Sequence, residues 1–97
     1  MRRRVLFVAE AADELREARR WYNAQRQGLG REMAGEVART LRAVVETPER
    51  YPWVEGNFRR ALCHRFPYGV FFRERDDVIV VVGVLHLHRD ISSVIRR

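Results

Sequence analysis

The sequence predicts an α+β fold of order β-αα-βββ, a helical hairpin packed on a small, mostly antiparallel sheet. Three observations carry this. Val78–Leu87 is apolar except for Gly83 and His86 and is rich in β-branched residues, which are stiff at χ1 and suit a pleated strand. It shows no polar alternation, so both its faces must be covered, as in a central strand. Upstream, two apolar stripes recur at helical spacing, and from Phe58 the period becomes two. The chain of 97 residues is expected to form one domain over 1–97, large enough to bury roughly 60–70% of its unfolded surface.

In chain order, Val5-Leu6-Phe7-Val8 within Arg4–Ala9 reads as a first strand of the same sheet. Ala11, Leu15, Ala18 and Tyr22 then form a stripe along one side of a helix. Asp13, Glu14 and Glu17 early and Arg19 and Arg20 late match the sense of the helix dipole. Gly28-Leu29-Gly30 stops that helix with residues able to take positive φ. Met33, Val37, Leu41 and Val44 make the second stripe, which Pro48 ends. So short a break predicts an antiparallel hairpin. Glu49–Asn57 reads as a loop, with Tyr51 and Trp53 as anchors against the helices. Beyond it, Leu62, His64 and Phe66 are expected on one strand face and Arg59, Ala61, Cys63 and Arg65 on the other. Pro67 makes Phe66–Gly69 a turn or bulge. Val70–Arg75 is the next strand, with Val70 and Phe72 opposite Phe71, Arg73 and Arg75, and Asp76-Asp77 turns it into the valine run. Ile91–Arg97 is a short tail forming one more turn or strand.

The charge is the strongest compositional clue. The net +6 comes from nineteen basic residues, all of them arginine. Residues 1–57 hold eleven Arg against nine acids, whereas residues 58–97 hold eight against four. A basic C-terminal half favours an acidic partner such as nucleic acid, an anionic ligand or an acidic peptide; a solvated, arginine-rich surface is the plain alternative. Guanidinium binds oxyanions in a bidentate way but is a poor general base. The single Cys63 rules out an internal disulfide and suits a reducing cytoplasm. The basic start Met1-Arg2-Arg3-Arg4 leads into an apolar stretch too short for an export signal, and no segment approaches transmembrane length.

Two clusters qualify as candidate sites. Arg59, Arg65, Arg73 and Arg75 alternate along two strands expected to pair, which would put four guanidinium groups on one face near Tyr68. Arginines interleaved with an aromatic suit phosphate contact and base stacking, whereas like charges on adjacent strands otherwise repel. His86, His88 and Arg89 emerge where the hydrophobic run stops. His86 and His88 point to one side, and an imidazole can act as acid, base or metal ligand, although a buried strand histidine bonded to a carbonyl is the commoner arrangement. A metal site is not expected, because only His64 and Cys63 could complete the ligand set. No cofactor is expected either: neither glycine cluster forms a phosphate loop. Cys63 sits mid-strand with nothing to lower its pKa and is not read as a nucleophile.

Several stretches together resemble the RelE/ParE superfamily of bacterial type II toxins, in particular the ParE-like, plasmid-stabilisation branch. They are Ala18-Arg19-Arg20-Trp21-Tyr22 with Gln25 and Gly28-Leu29-Gly30, then Thr47-Pro48-Glu49-Arg50-Tyr51-Pro52. Arg59-Arg60 with Arg65-Phe66-Pro67-Tyr68 follows, and Val84-Leu85-His86 with His88-Arg89-Asp90 ends the series. The resemblance implies the β-αα-βββ fold and a cognate antitoxin whose C-terminal segment wraps and blocks the toxin. ParE-like members poison DNA gyrase and are not enzymes. Arg59, Arg60, Arg65, Tyr68, Arg73, Arg75 and Arg89 would then contact the target. RelE-like members instead cut mRNA on the ribosome; on that alternative Arg59, Arg65, Arg73 and Arg89 hold phosphate and His86 or His88 moves the proton. The chain departs from the RelE pattern in having no lysine and no tyrosine after Tyr68, which favours the ParE-like grouping. Whether the protein is an enzyme stays open here. A third reading is an inactive module that only binds antitoxin.

Overall fold

The computed structural model describes residues 3–97, so Met1 and Arg2 of the basic start lie outside the described residues. The elements are β1 (Arg4–Phe7), α1 (Ala9–Gln25), α2 (Leu29–Glu46), β2 (Trp53–Val54), β3 (Phe58–Leu62), β4 (Tyr68–Arg75), β5 (Val78–His86) and α3 (Ser92–Ile95), with one 3-10 turn at Pro48–Arg50. They build a five-stranded sheet of order β1-β5-β4-β3-β2. β1 runs parallel to β5 and the other neighbours are antiparallel, the α+β arrangement expected. No helix of the described residues is long and apolar enough to cross a membrane.

The valine run is covered on both faces, as its pattern demands. Towards the helical hairpin, Val81, Val84 and Val70 pack with Ala11, Ala18, Met33, Val37 and Leu41. On the far face, Val82 and Leu85 join Phe58, Phe71 and Val94 of α3. Gly83 is required there, because a Cβ would come within 2.8 Å of Val94 Cγ2. The C-terminal tail is therefore the far-face lid over the central strand.

A register shift in the β4–β5 pair decides where the polar end of β5 points. Phe72 faces Val81 but Phe71 faces Gly83, leaving Val82 as the extra residue. A bulge of this kind reverses the inside–outside parity of everything after it. Val84 and His86 consequently join the helix-side face, where an unbroken ladder would have sent His86 to the other side.

Several local expectations change. α1 begins at Ala9, with Glu10 as the acid in its first turn and no base in its last, so Arg19 and Arg20 are interior and do not complement the dipole at its end. Gly28 takes φ 89 and supplies the turn, but Gly30 lies inside α2 and serves a close approach to α1 instead. The 49–57 segment contains β2. Tyr51 does pack inward, its ring 5.9 Å from Phe72, whereas Trp53 is 61% exposed and touches no helix core. β3 stops at Leu62, which is exposed, so Leu62, His64 and Phe66 do not share a face. Phe66 turns in to meet Tyr22 at 5.0 Å.

Candidate functional site

The strand register separates the arginines that alternation alone would group. Arg59 faces Phe72 across β3–β4 and Arg60 faces Phe71, and Phe71 and Phe72 lie on opposite faces. Arg59 is thus on the helix side, while Arg60, Arg73 and Arg75 have the far-side parity. Arg65 belongs to neither strand; it occupies the β3–β4 turn at φ 70. The expected four-arginine face is not formed.

Three of these residues are also engaged within the chain. Arg59 Nη1 donates to the carbonyls of Glu49 (3.1 Å) and Tyr51 (2.6 Å), and its guanidinium lies 4.0 Å over the Trp53 ring. It pins the loop that leads into β2. Arg65 Nη2 donates to Glu32 Oε1 at 2.7 Å, tying the turn to α2. Hydrogen bonds from Arg65 and then Arg26 hold the Glu32 carboxyl below its ordinary pKa. Arg73 Nη2 donates to the Arg97 carbonyl at 2.7 Å. Arg75 and Arg89 are exposed, and neither side chain has a hydrogen-bond or ionic partner among the described residues.

What the fold does bring together is the end of the β4–β5 hairpin. Tyr68 and His86 are direct cross-strand neighbours, with ring centroids 5.4 Å apart. His86 stacks on His88 at 5.2 Å with planes 27° apart. His86 Nδ1 accepts the His88 backbone N–H at 3.1 Å. That bond needs an unprotonated Nδ1, so the neutral ring carries its proton on Nε2. Tyr68 also meets Tyr22 of α1 at 6.1 Å, and Tyr22 meets Trp21 edge-on at 5.0 Å. Between α1 and this hairpin end opens a cleft of about 250 Å³ lined by Glu14, Glu17, Trp21, Tyr68, His86 and Arg89, with Ala18 and Val84 at its floor. Sequence spacing put His86, His88 and Arg89 near one another but set Tyr68 with the strand arginines, and it missed Trp21 and Glu17, because helical periodicity treats them only as outward-facing positions.

Burial sets the protonation of the nearby groups. Desolvation raises the phenol pKa of Tyr68 and Tyr22 above the ordinary 10.0 and, more than the Thr40 hydroxyl lowers it, raises the Cys63 thiol above 9.0. Cys63 is thus no activated nucleophile. A raised folded-state pKa gives stability that is complete below the unfolded value and lost as pH climbs towards the folded one. The urea midpoint should therefore fall between about pH 8 and pH 11, and Tyr68→Phe should flatten that fall; an equal fall in the variant would show that Tyr68 ionisation is not involved.

A second concavity, of about 480 Å³, lies beside the free edge of the sheet. It is lined by Val5, Phe7, Ala38, Leu41 and Val45, with Arg3, Arg42 and Glu46 among its polar residues. The amides of Arg4 and Val8 donate to the carbonyls of Asp77, just before β5, and Val81 within it, so the backbone polar groups of Val5 and Phe7 face outward. An apolar groove beside an unpaired edge is suited to an added strand. Among the described residues no three metal-ligating side chains converge.

A family model described as "ParE toxin of type II toxin-antitoxin system, parDE" matches residues 5–91. No curated protein matches the chain. A solved structure described as "Chromosomal ParDE TA system from P. aeruginosa" aligns with a TM-score of 0.76 and 12% identity, over 87% of this chain and 95% of that one. At that identity the likeness concerns the fold.

Proposed function

The chain belongs to the ParE toxin family of type II toxin–antitoxin systems, and from that premise we propose that it inhibits DNA gyrase in the cytoplasm and is neutralised by a cognate antitoxin. One observation supports the gyrase reading over mRNA cleavage. A ribonuclease must surround one phosphate with several cations and a base, whereas here Arg59, Arg65 and Arg73 each already donate to an oxygen of the chain itself and Arg65 lies apart from the concavity that Arg59 and Arg73 share. Target contact then falls to Arg60, Arg75 and Arg89 with Tyr68. Purified protein should stop supercoiling by gyrase and leave ribosome-bound mRNA intact. Intact supercoiling with codon-dependent cuts would reverse the order. The endonuclease reading keeps one supporting feature, the His86 ring in the same cleft as Arg89. It requires His86→Ala or His88→Ala to slow cutting by orders of magnitude. If expression without antitoxin leaves growth unaffected, the inactive binding module is the better account.

For the antitoxin, the groove beside β1 is the best-suited seat. Its walls are apolar and β1 offers unpaired backbone groups, so an extended segment can add a strand while burying alternate side chains. Arg42 near the groove and the basic surface favour an acidic segment, and affinity should fall with added salt. Ala38 is exposed within the groove. Ala38→Asp should weaken antitoxin binding at least about tenfold, because it sets an unpaired charge against an apolar segment; the melting temperature should hardly move. Calorimetry showing unchanged affinity would place the antitoxin elsewhere.

A further inference from the structure

The cleft between α1 and the β4–β5 end combines three features with no role inside the fold. Trp21 is 58% exposed, with its neighbour Tyr22 meeting it edge-on, so a large aromatic surface is left uncovered. Glu17 and Arg89 line the same cleft, and among the described residues neither side chain has a hydrogen-bond or ionic partner. Glu14, the other acid of the lining, is already neutralised by Arg97 at 2.9 Å. The available groups are therefore a flat apolar ring, one acceptor-only carboxylate and one guanidinium.

We propose that this cleft binds a nucleotide, its base stacked on Trp21, the N–H edge of the base donating to the Glu17 carboxylate and its phosphate paired with Arg89. Each ligand part answers one lining group: π-faces stack on aromatic rings whatever the base, a carboxylate only accepts, and guanidinium is the side chain best shaped for phosphate. The carboxylate also selects. Guanine presents two adjacent N–H donors, N1–H and the N2 amino group, to two oxygens. Adenine and cytosine put a ring acceptor next to their amino group, which repels the second oxygen. A purely cationic guest, such as an arginine side chain, fits less well because Arg89 opposes it. The proposal does not rest on gyrase being the target, since the cleft is tested on the isolated chain.

Trp53→Phe leaves Trp21 as the sole tryptophan, since the chain has two, so fluorescence then reports the cleft alone. Guanosine 5′-monophosphate should quench it saturably, with Kd below about 1 mM. In that background Arg89→Ala should weaken the monophosphate at least about tenfold while leaving guanosine unaffected, and Glu17→Gln should remove most of the preference for guanine over adenine. A dT oligonucleotide carrying a single dG, run beside the mononucleotide, distinguishes a nucleic-acid strand from a free nucleotide as the source; saturation by either supports the proposal. Amide shifts in the wild-type chain give the same test without the tryptophan change and should centre on Trp21, Tyr68, His86 and Arg89. Saturation by neither ligand, quenching indifferent to both substitutions, or saturation by N-acetylarginine amide alone would overturn it.

Discussion

Glu14→Ala is expected to cost about 3 kcal/mol of stability, a drop in melting temperature on the order of 15 °C for a domain of this size. β1 delivers its last bond to β5 where the Val8 N–H meets the Val81 carbonyl at 3.0 Å. Beyond that point the outer edge of the central strand has no strand beside it, although its residues are buried. Glu14 and Arg97 take over. Glu14 Oε1 accepts the Val84 N–H at 3.0 Å, and Arg97 Nη1 donates to the Val82 carbonyl at 2.9 Å. The two side chains close the arrangement with a bidentate pair, at 3.0 Å from Nη1 and 2.9 Å from Nη2. Their side chains are only 11% and 13% exposed, so removing the acid strands a cation and a backbone donor away from water. The loss is far larger than for exposed pairs such as Arg16–Asp13, which contribute under about 1 kcal/mol. Chemical denaturation of the variant measures it, and a loss under about 1 kcal/mol would mean that water or a neighbouring donor replaces the pair.

Gly30→Ala is expected to destabilise by about 2 kcal/mol, although alanine is the better helix former. A Cβ at this position would sit inside the van der Waals envelope of the Arg19 carbonyl and 2.8 Å from Asn23 Oδ1. The same Asn23 oxygen accepts the Gly30 N–H at 2.7 Å, fastening the start of α2 to the last turns of α1. Forcing the helices apart costs up to about 3 kcal/mol, which outweighs the ~1 kcal/mol gain in helix propensity. Gly35 tests the logic: a Cβ there meets nothing within 4 Å, so Gly35→Ala should stabilise the chain slightly. If both substitutions stabilise, the helices can separate at little cost and the hairpin is looser than its geometry implies.

The parts of this fold legible in the sequence are those set by near neighbours. The valine run, with its β-branched residues and lack of polar alternation, reads as an interior strand over a helix, and the stripes Ala11–Tyr22 and Met33–Val44 read as amphipathic helices. What could not be read depends on partners far along the chain. Alternation put Arg59 and Arg73 on one face because it assumes a register, and pairing Arg59 with Phe72 gives them opposite parity, although both border one concavity with Trp53. The bulge at Val82 has no residue signature beyond a nearby glycine, yet it alone brings His86 round to α1. Trp53 looked like an anchor because large aromatics usually are; a cation from the next strand covers it instead. The cleft joins Trp21 to His86 and Arg89, and no local pattern announces such a meeting.

The parallel pairing of Arg4 with Val78 bears on how the molecule is made. A ribosome releases β1 first, and this strand then waits through the synthesis of both helices and most of the remaining sheet before its partner exists. Until then the nascent chain offers Val5 and Phe7 with both backbone edges open, a state in which another polypeptide can engage it before the toxin is whole.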